Sequence, residues 1–303
     1  MNIYKGMFNK HFIALTIAVS LFTSCKETKS DDENKEDLVE TTDTVRSVVN
    51  VGGELFSVPS PIQTAILIQK SGVPYDKSVL STSNKVNNYS TDYSRAINLG
   101  VYGADLGYVS LYNQTQDALG YLGSIKQLSD KLGISAAFDG PTMERIKNNI
   151  TNKDSMMVLV GIAYRASDAY LKNNQRREVS SLILTGGWIE GMYFSLAAYK
   201  AKPSTQIKFR IAEQKQALTS LVKIMGMSTS PEIVELTTSL AELAKIYEGI
   251  ELKYTFVEPT TDTVKKVTYI NSTTEVVVTD EQIASISEKI KQIRNKIVNP
   301  TQS

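Results

Sequence analysis

Leucine and isoleucine recur at three- and four-residue steps over most of this 303-residue chain, which is the spacing of one face of an α-helix. Several of these segments begin with proline, as after Ser60 and Gly140, where the first turn of a helix tolerates it. The pattern therefore predicts a mainly α fold, a helical bundle of about seven to nine helices. The predicted helices are one from residue 61, about 90–113, about 114–132, one from 140, and about 154–170, 176–201, 205–225 and 231–251.

The C-terminal part of the chain has a different character. Residues 252–257, 264–270 and 275–278 are rich in β-branched and aromatic residues. That composition predicts a small antiparallel β meander, and we expect the chain to reverse at residues 271–273.

A final amphipathic helix is predicted after Thr279, which forms a capping-box pattern with Gln282. Its acidic residues lie early and its basic residues late, as the helix dipole favours. Five isoleucines form its apolar stripe. We expect the stripe to pack on the protein's own core, the alternative being a site for a partner helix. The five are Ile283, Ile286, Ile290, Ile293 and Ile297.

The N-terminus carries an apolar run of about a dozen residues after Lys5 and Lys10, which is too short for a membrane-spanning helix of roughly twenty. Ser24 and Cys25 follow. Residues 1–25 resemble the signal peptide and lipobox of bacterial lipoproteins, although Phe22 stands where leucine is commonest. The resemblance implies cleavage before Cys25, acylation of that cysteine, palmitate included, and a lipid anchor in the outer membrane.

The segment that follows is acidic, with eight acidic and four basic residues in 26–47. Residues 29–34 resemble the export signal of Bacteroidota lipoproteins. That resemblance implies display on the cell surface rather than on the periplasmic face. A plain solvated linker has the same composition. Both interpretations predict a disordered tether.

These features divide the chain into four parts. They are a signal peptide (1–24), the lipidated cysteine with a disordered acidic tether (25–54), a helical body (55–251), and a β meander with a C-terminal helix packed on the body (252–303).

Cleavage before Cys25 changes the chemistry that the protein can perform. It removes His11, the sole histidine, and leaves 31 basic and 32 acidic residues. A mature chain without histidine, whose single cysteine is acylated, excludes Ser-His-Asp and Cys-His catalysis and zinc sites built on those residues. The clustered basic footprint of a nucleic-acid partner is missing too. We find no motif for a cofactor or a metal.

Two of the predicted helices resemble each other. Shifting the sequence by 85 residues superposes 99–111 on 184–196 and pairs Asp105 with Glu190. One interpretation is a duplicated unit, about 90–175 and 176–251. The other is close packing of two glycine-rich helices, since glycine within a helix costs roughly 1 kcal/mol relative to alanine. The glycines concerned are Gly100, Gly103, Gly107 and Gly191.

Asp105 and Glu190 are also the candidates for catalysis. If the two helices are neighbours, their carboxylates face each other among aromatic residues, as in glycoside hydrolases or glycan-binding grooves. The alternative is a structural seam in which the acids bind tyrosine hydroxyls or Arg95, Arg165 or Arg177. The possible ligand cleft comprises Tyr102, Asp105, Tyr108, Trp188, Glu190 and Tyr193.

The sequence TTDTV occurs twice, at 41–45 and 260–264. Both copies resemble the Asp-Thr-aliphatic sites that are glycosylated in Bacteroidota proteins, which makes Thr44 and Thr263 possible O-glycosylation sites. Together these features favour a lipid-anchored outer-membrane or cell-surface protein that acts as a non-catalytic binding or structural module with a protein or glycan partner. The alternative is a carboxylate-dependent glycan-active enzyme or glycan-binding protein.

Overall fold

The computed structural model describes residues 46–51, 54–59, 61–137 and 140–300. The signal peptide, Cys25, Thr44 and the tether up to residue 45 lie outside the described residues. Within them, the predicted mainly helical fold with C-terminal strands and a final helix is confirmed. The α-helices are α1 (Pro61–Lys70), α2 (Asp92–Leu111), α3 (Thr115–Lys131), α4 (Gly140–Asn148), α5 (Lys153–Asn173), α6 (Arg177–Ala201), α7 (Thr205–Ala212), α8 (Lys215–Met225), α9 (Pro231–Glu248) and α10 (Asp280–Val298).

An antiparallel hairpin precedes α1. It consists of β1 (Arg46–Val51) and β2 (Glu54–Pro59), which are joined by residues 52–53. Residues 46–51 fall within the range 25–54 that the sequence predicts as tether, so the ordered body begins earlier than expected. In this β1–β2 hairpin, Arg46 stands opposite Pro59 at one end and Val51 stands opposite Glu54 at the other.

Side-chain caps fix several helix starts. Thr91 and Ser94 form a capping box at α2, and the predicted box between Thr279 and Gln282 is present at α10. At α5 the cap is Asn152, whose side-chain oxygen accepts from the Ser155 amide at 3.0 Å. Asn152 has the extended backbone of an N-cap, whereas Asp154 already lies inside the helix.

The predicted helix over 205–225 is two helices, α7 and α8. They break at residues 213–214, where the Gln214 side chain is buried and accepts a hydrogen bond from Trp188 Nε1 at 2.9 Å. Its amide group also donates to the Arg210 carbonyl at 3.2 Å. The break between α7 and α8 therefore places Gln214 where its side chain satisfies the buried indole N–H of Trp188.

The C-terminal strands form nested hairpins rather than a meander. β3 (Glu251–Thr255) pairs with β6 (Thr273–Val277), and between them β4 (Thr260–Asp262) pairs with β5 (Val267–Tyr269). The tight reversal is at residues 263–266, not 271–273, because Asp262 Oδ1 accepts from two amides of that turn and Lys266 has a positive φ of 54°. We call residues 251–277 the β arm.

Helices α2 and α6 form the centre of the body and run parallel, since Asp105 lies beside Glu190 and, further along, Tyr108 stacks on Phe194. Their backbones touch at two glycines. A Cβ on Gly100 would lie 2.0 Å from the Ile183 carbonyl oxygen, and one on Gly186 2.0 Å from the Ile97 carbonyl oxygen. Close backbone approach is thus confirmed at Gly100, whereas the duplication of units stays a prediction.

Gly107 and Gly191, two of the glycines that the sequence singles out, lie against a different helix. A Cβ on Gly107 would lie 3.7 Å from Ile62, and one on Gly191 would lie 3.6 Å from Pro61. Both distances are ordinary van der Waals contacts, and both neighbours belong to α1. These two glycines therefore let α1 lie across the central pair.

Helix α10 packs on α6, α9 and α2. All five isoleucines of its stripe are buried, which confirms that the stripe docks on the protein's own core. Arg294 is on the same buried side of the helix. Helix α10 therefore places the guanidinium of Arg294 in the interior of the body.

Candidate functional site

The structure brings Asp105 and Glu190 together in the seam between α2 and α6. Both side chains are fully buried, at 0% exposure. Their carboxyl groups lie within hydrogen-bonding reach of each other. Any substrate atom would therefore have to part the two central helices to touch either one.

Arg294 neutralises Glu190. Its Nε and Nη2 atoms donate to the two carboxylate oxygens, each at 2.6 Å, in a bidentate pair. Nη2 also donates to the Val79 carbonyl at 3.1 Å, and the guanidinium lies 4.2 Å from the centre of the Tyr193 ring. The cation is thus held by a carboxylate, a carbonyl and an aromatic face.

The pKa shifts of this group follow from burial and from its charges. Burial opposes the charged guanidinium, but the charge and the hydrogen bonds of Glu190, with smaller effects of Asp105 and Tyr193, together outweigh burial and raise the pKa of Arg294. Burial also raises the pKa of Glu190, against the lowering effect of Arg294. Burial and then the negative charge of Glu190 raise the pKa of Asp105 well above its usual range.

Burial and the neighbouring Glu190 favour the protonated form of Asp105, whose pKa they raise. Its Oδ2 accepts from the Ser81 hydroxyl at 2.5 Å. Among the described residues no N–H or O–H group donates to its Oδ1. If Asp105 is neutral, its O–H group can donate a hydrogen bond to Glu190. That bond gives Oδ1 a partner and avoids two adjacent negative charges. The cluster then holds one cation and one anion in a buried neutral network.

The aromatic residues of the predicted cleft lie in the interior instead of lining an opening. Tyr102 donates to the Thr82 carbonyl at 2.9 Å, Tyr108 accepts from the Asp76 amide at 3.2 Å, and Trp188 binds Gln214. Each of these three rings is no more than 3% exposed. The side of α2 that carries Tyr102, Asp105 and Tyr108 therefore faces the core. Of the predicted cleft residues only Tyr193 is half-buried, and its ring lies against Arg294.

The structural-seam interpretation offered Arg95, Arg165 or Arg177 as the cation, whereas the guanidinium that binds Glu190 is that of Arg294. Arg95 binds the Tyr89 carbonyl and Asp92, near the start of α2, and not Asp105. Arg294 is one of the basic residues in the second half of α10. A signal was present, because Arg294 stands four residues after Ile290 and three before Ile297, on the flank of the apolar stripe.

Thr263 lies at the reversal of the inner hairpin and is exposed. Asp262 folds under it by accepting from the amides of Val264 and Lys265, both at 3.0 Å. Its accessibility suits a modified residue, and its O-glycosylation stays a prediction. Thr44 is outside the described residues.

The β arm exposes apolar side chains on a scale that the described helices do not. Nine exposed large hydrophobic residues belong to it, against four scattered elsewhere in the described chain. Val264 is 91% exposed, Ile270 80%, Phe256 69% and Tyr254 65%. Such a concentration of exposed apolar side chains in one segment is typical of interaction surfaces.

No helix in the described ranges has both the length and the apolarity to cross a membrane. Nor do three or more His, Cys, Asp or Glu side chains converge as metal ligands among those residues. Comparison of the chain with protein-family models, curated proteins and solved structures gives no match.

Proposed function

We propose that this protein is a lipid-anchored, non-catalytic binding module of the outer membrane, displayed on the cell surface, whose β arm docks a protein partner. The observation that carries the binding role is the concentration of exposed apolar side chains in the β arm. The anchoring role is supported by the lipobox-like residues before Cys25. The two parts are separable, and each has its own test.

The β arm suits a partner that contributes an extended strand. Within the described chain β3 pairs only with β6, so each keeps one edge of unpaired backbone N–H and C=O groups. Leu252, Tyr254 and Phe256 alternate along the arm and share one face. Strand addition to such an edge combines backbone hydrogen bonds with apolar side-chain contacts.

The arm is also too small to be a stable sheet by itself. A two-stranded hairpin is marginal in water, and added strands stabilise it. Lys253 stands opposite Glu275 across the pair, which puts a complementary charged pair on the face opposite Tyr254. The apolar face and the free edges are therefore the parts left for a partner.

The alternative of a glycan-active enzyme needs at least one carboxylate that reaches a sugar. Asp105 and Glu190 are fully buried, and Arg294 occupies both oxygens of Glu190. This arrangement gives the enzymatic alternative no support.

The docking proposal is tested by capture from intact outer membranes with the full chain and with two variants. The double variant Tyr254→Ser, Phe256→Ser removes the apolar face, and Lys265→Ser, Lys266→Ser is the matched control at the exposed turn. A protein that the wild type and the control capture, that the first variant loses, and that rebinds after purification supports the proposal. Hydrogen exchange should then slow at the β3 amides.

Three results would overturn it. They are capture of the same protein by the Tyr254→Ser, Phe256→Ser variant, binding of a second copy of this chain alone, or recovery of a glycan instead of a protein. The anchor is tested separately with Cys25→Ala, which should release an unlipidated soluble protein; retention at the membrane would contradict the anchor and leave the docking result untouched.

A further inference from the structure

A partly open cavity of about 290 Å³ lies between α1, α2, α6 and residues 73–79, which follow α1. Its volume is close to the lower end of small-molecule sites, about 300 Å³, and equals the share of roughly ten liquid water molecules. It includes Tyr108 of the predicted cleft but neither Asp105 nor Glu190, and none of the described residues that line it belongs to the β arm. The cavity is therefore distinct from both features described above.

Aromatic rings form the inner wall of this cavity. The ring centres of Tyr75 and Tyr108 lie 5.8 Å apart, and those of Tyr108 and Phe194 lie 4.8 Å apart. Tyr108 and Phe194 are buried, whereas Tyr75 is half-buried and Asp76 beside it is exposed. The mouth of the cavity therefore lies at Tyr75 and Asp76, and the two buried rings lie deeper.

The tyrosine hydroxyl groups of this wall already take part in hydrogen bonds. Tyr75 donates to Asp117 Oδ2 at 2.9 Å, and Tyr108 accepts from the Asp76 amide at 3.2 Å. Burial, and after it the bond to Asp117, raises the pKa of Tyr75 above its ordinary value, so this side chain remains a neutral phenol. A guest molecule therefore meets uncharged aromatic rings whose hydroxyl groups are already engaged.

Asp76 is the one charged residue among the described residues that line the cavity. Its Oδ1 accepts from the Ser78 amide at 2.8 Å, a local cap that holds the carboxylate in place. Lys77, the next residue, binds Asp117 instead, at 2.7 Å. The cavity thus has a carboxylate at its mouth, and the described part of its wall contains no basic residue.

Alanines in the last turns of α6 keep this space open. Ala197, Ala198 and Ala201 line the cavity on that side, and Ile68 and Val73 line it on the side of α1 and the following loop. Larger side chains at the alanine positions would project into the cavity. Its volume therefore depends on these small residues.

We propose that this cavity binds a compact organic ammonium ion, whose charge lies between the Asp76 carboxylate and the aromatic rings. A cation within about 6 Å of a ring centre is attracted by the ring, and an opposite charge nearby adds to that attraction. An anion would instead be repelled by Asp76. A sugar would lose water from several hydroxyl groups without new partners, because the other lining side chains are apolar apart from the engaged tyrosines.

The test is an NMR titration of the full chain with two probes of the same shape, choline and 3,3-dimethyl-1-butanol, which differ in the positive charge. Binding is followed through the methyl resonances of Ile68 and Val79, which line the cavity. The wild type should bind choline at one saturable site, at least about tenfold more tightly than the neutral alcohol. The alcohol measures what the apolar walls contribute without the charge.

Variants of Asp76 and Tyr75 separate the carboxylate from the ring. Asp76→Asn keeps an oxygen for the Ser78 amide, and it should weaken choline by about two- to fivefold while the affinity for the alcohol stays the same. Asp130→Asn removes an exposed acid of α3 outside the cavity; it is the control for net charge and should leave binding unchanged. Tyr75→Leu should weaken choline by about two- to fivefold, and Tyr75→Phe, which restores a ring, should recover that loss.

Filling the cavity should abolish the binding of both probes. Ala197→Phe does so at a half-buried position of α6, and circular dichroism checks that the variant keeps its native helicity. Equal affinity of the wild type for the two probes would overturn the proposal, as would the absence of saturable choline binding. Choline binding equal to wild type in Asp76→Asn or in folded Ala197→Phe would overturn it too. If Ala197→Phe does not fold, the exposed Asp76→Asn substitution decides in its place.

Discussion

The guanidinium of Arg294 binds both carboxylate oxygens of Glu190, although 104 residues separate the two along the chain. The pair joins α10 to the central helix α6 in the buried interior of the body. A pair of this kind contributes little net stability as a unit, yet either partner alone is an uncompensated buried charge.

We therefore predict that Arg294→Met destabilises the protein by about 3–5 kcal/mol, because it leaves Glu190 buried without its cation. Urea unfolding of the full chain measures the change. Lys296→Met is the control on the same helix, since Lys296 binds Glu235 at 2.8 Å with both side chains about two-thirds exposed. The control should show no measurable change. Adding Glu190→Gln to Arg294→Met should recover part of the lost stability. Equal stability of the Arg294→Met and Lys296→Met variants would contradict the prediction.

A second prediction concerns pH and the extra proton of Asp105. The folded-state pKa of this carboxyl is raised above its unfolded value of about 3.9, so folding takes up a proton. The stability linked to this group is complete below the unfolded pKa and is lost as pH rises toward the folded pKa. Asp105→Asn keeps an oxygen for Ser81 and an N–H for Glu190 but does not titrate. Relative to wild type, the variant should therefore gain stability as pH rises above the unfolded pKa of about 3.9.

The measurement is the free energy of unfolding of both proteins at several pH values, each at constant ionic strength. A stability difference that is the same at every pH would show that Asp105 does not change its protonation on folding. If the Asp105→Asn variant instead became less stable than wild type as pH rises, the pKa of Asp105 would be lowered on folding and not raised.

The contact between Gly100 and Ile183 gives a third prediction. Gly100→Ala places a methyl group 2.0 Å from a backbone oxygen, so the two central helices must separate. We expect a loss of more than about 3 kcal/mol, in the range reserved for core disruption. Gly123→Ala in α3 is the control, because a Cβ there meets nothing within 4 Å, and it should stabilise by up to about 1 kcal/mol. Thermal unfolding of both variants decides, and a neutral Gly100→Ala would contradict the described helix approach.

The β arm gives a fourth prediction, about stability and not binding. Replacing residues 253–275 with Asn-Gly joins Leu252 to Val276, which already stand opposite each other in the β3–β6 pair, through a hairpin turn. The removed residues are almost all exposed, so the body should lose less than about 1 kcal/mol. Urea unfolding of the shortened protein tests this expectation. A large loss would mean that the arm supports the body's fold.

Much of the fold follows from local patterns in the chain. Apolar periodicity sets the main helices, and the Thr279–Gln282 box sets the start of α10, because both depend on residues only a few positions apart. Strand pairing does not follow in this way. The register of β3 with β6 depends on where the chain between them reverses, and the Asp262 turn is too short a signal to compete with the residues at 271–273.

The site shows the same division. Helical spacing and the 85-residue offset place Asp105 near Glu190, but they do not supply the cation from α10. Nor does residue type distinguish core from surface: Tyr102 and Tyr254 are both tyrosines, yet one is buried and the other is 65% exposed. Exposure depends on what the rest of the chain covers, and that is long-range information.

The distance along the chain between Glu190 and Arg294 also has a consequence for synthesis. A ribosome that has just finished α6 has produced the glutamate but not the arginine that neutralises it, and another 93 residues separate the end of α6 from Arg294. Until those residues are made, closing the central helices would bury a lone anion at a cost of several kcal/mol. Closure of the central helices around a charged Glu190 is therefore disfavoured through roughly the last third of translation, until Arg294 has been made.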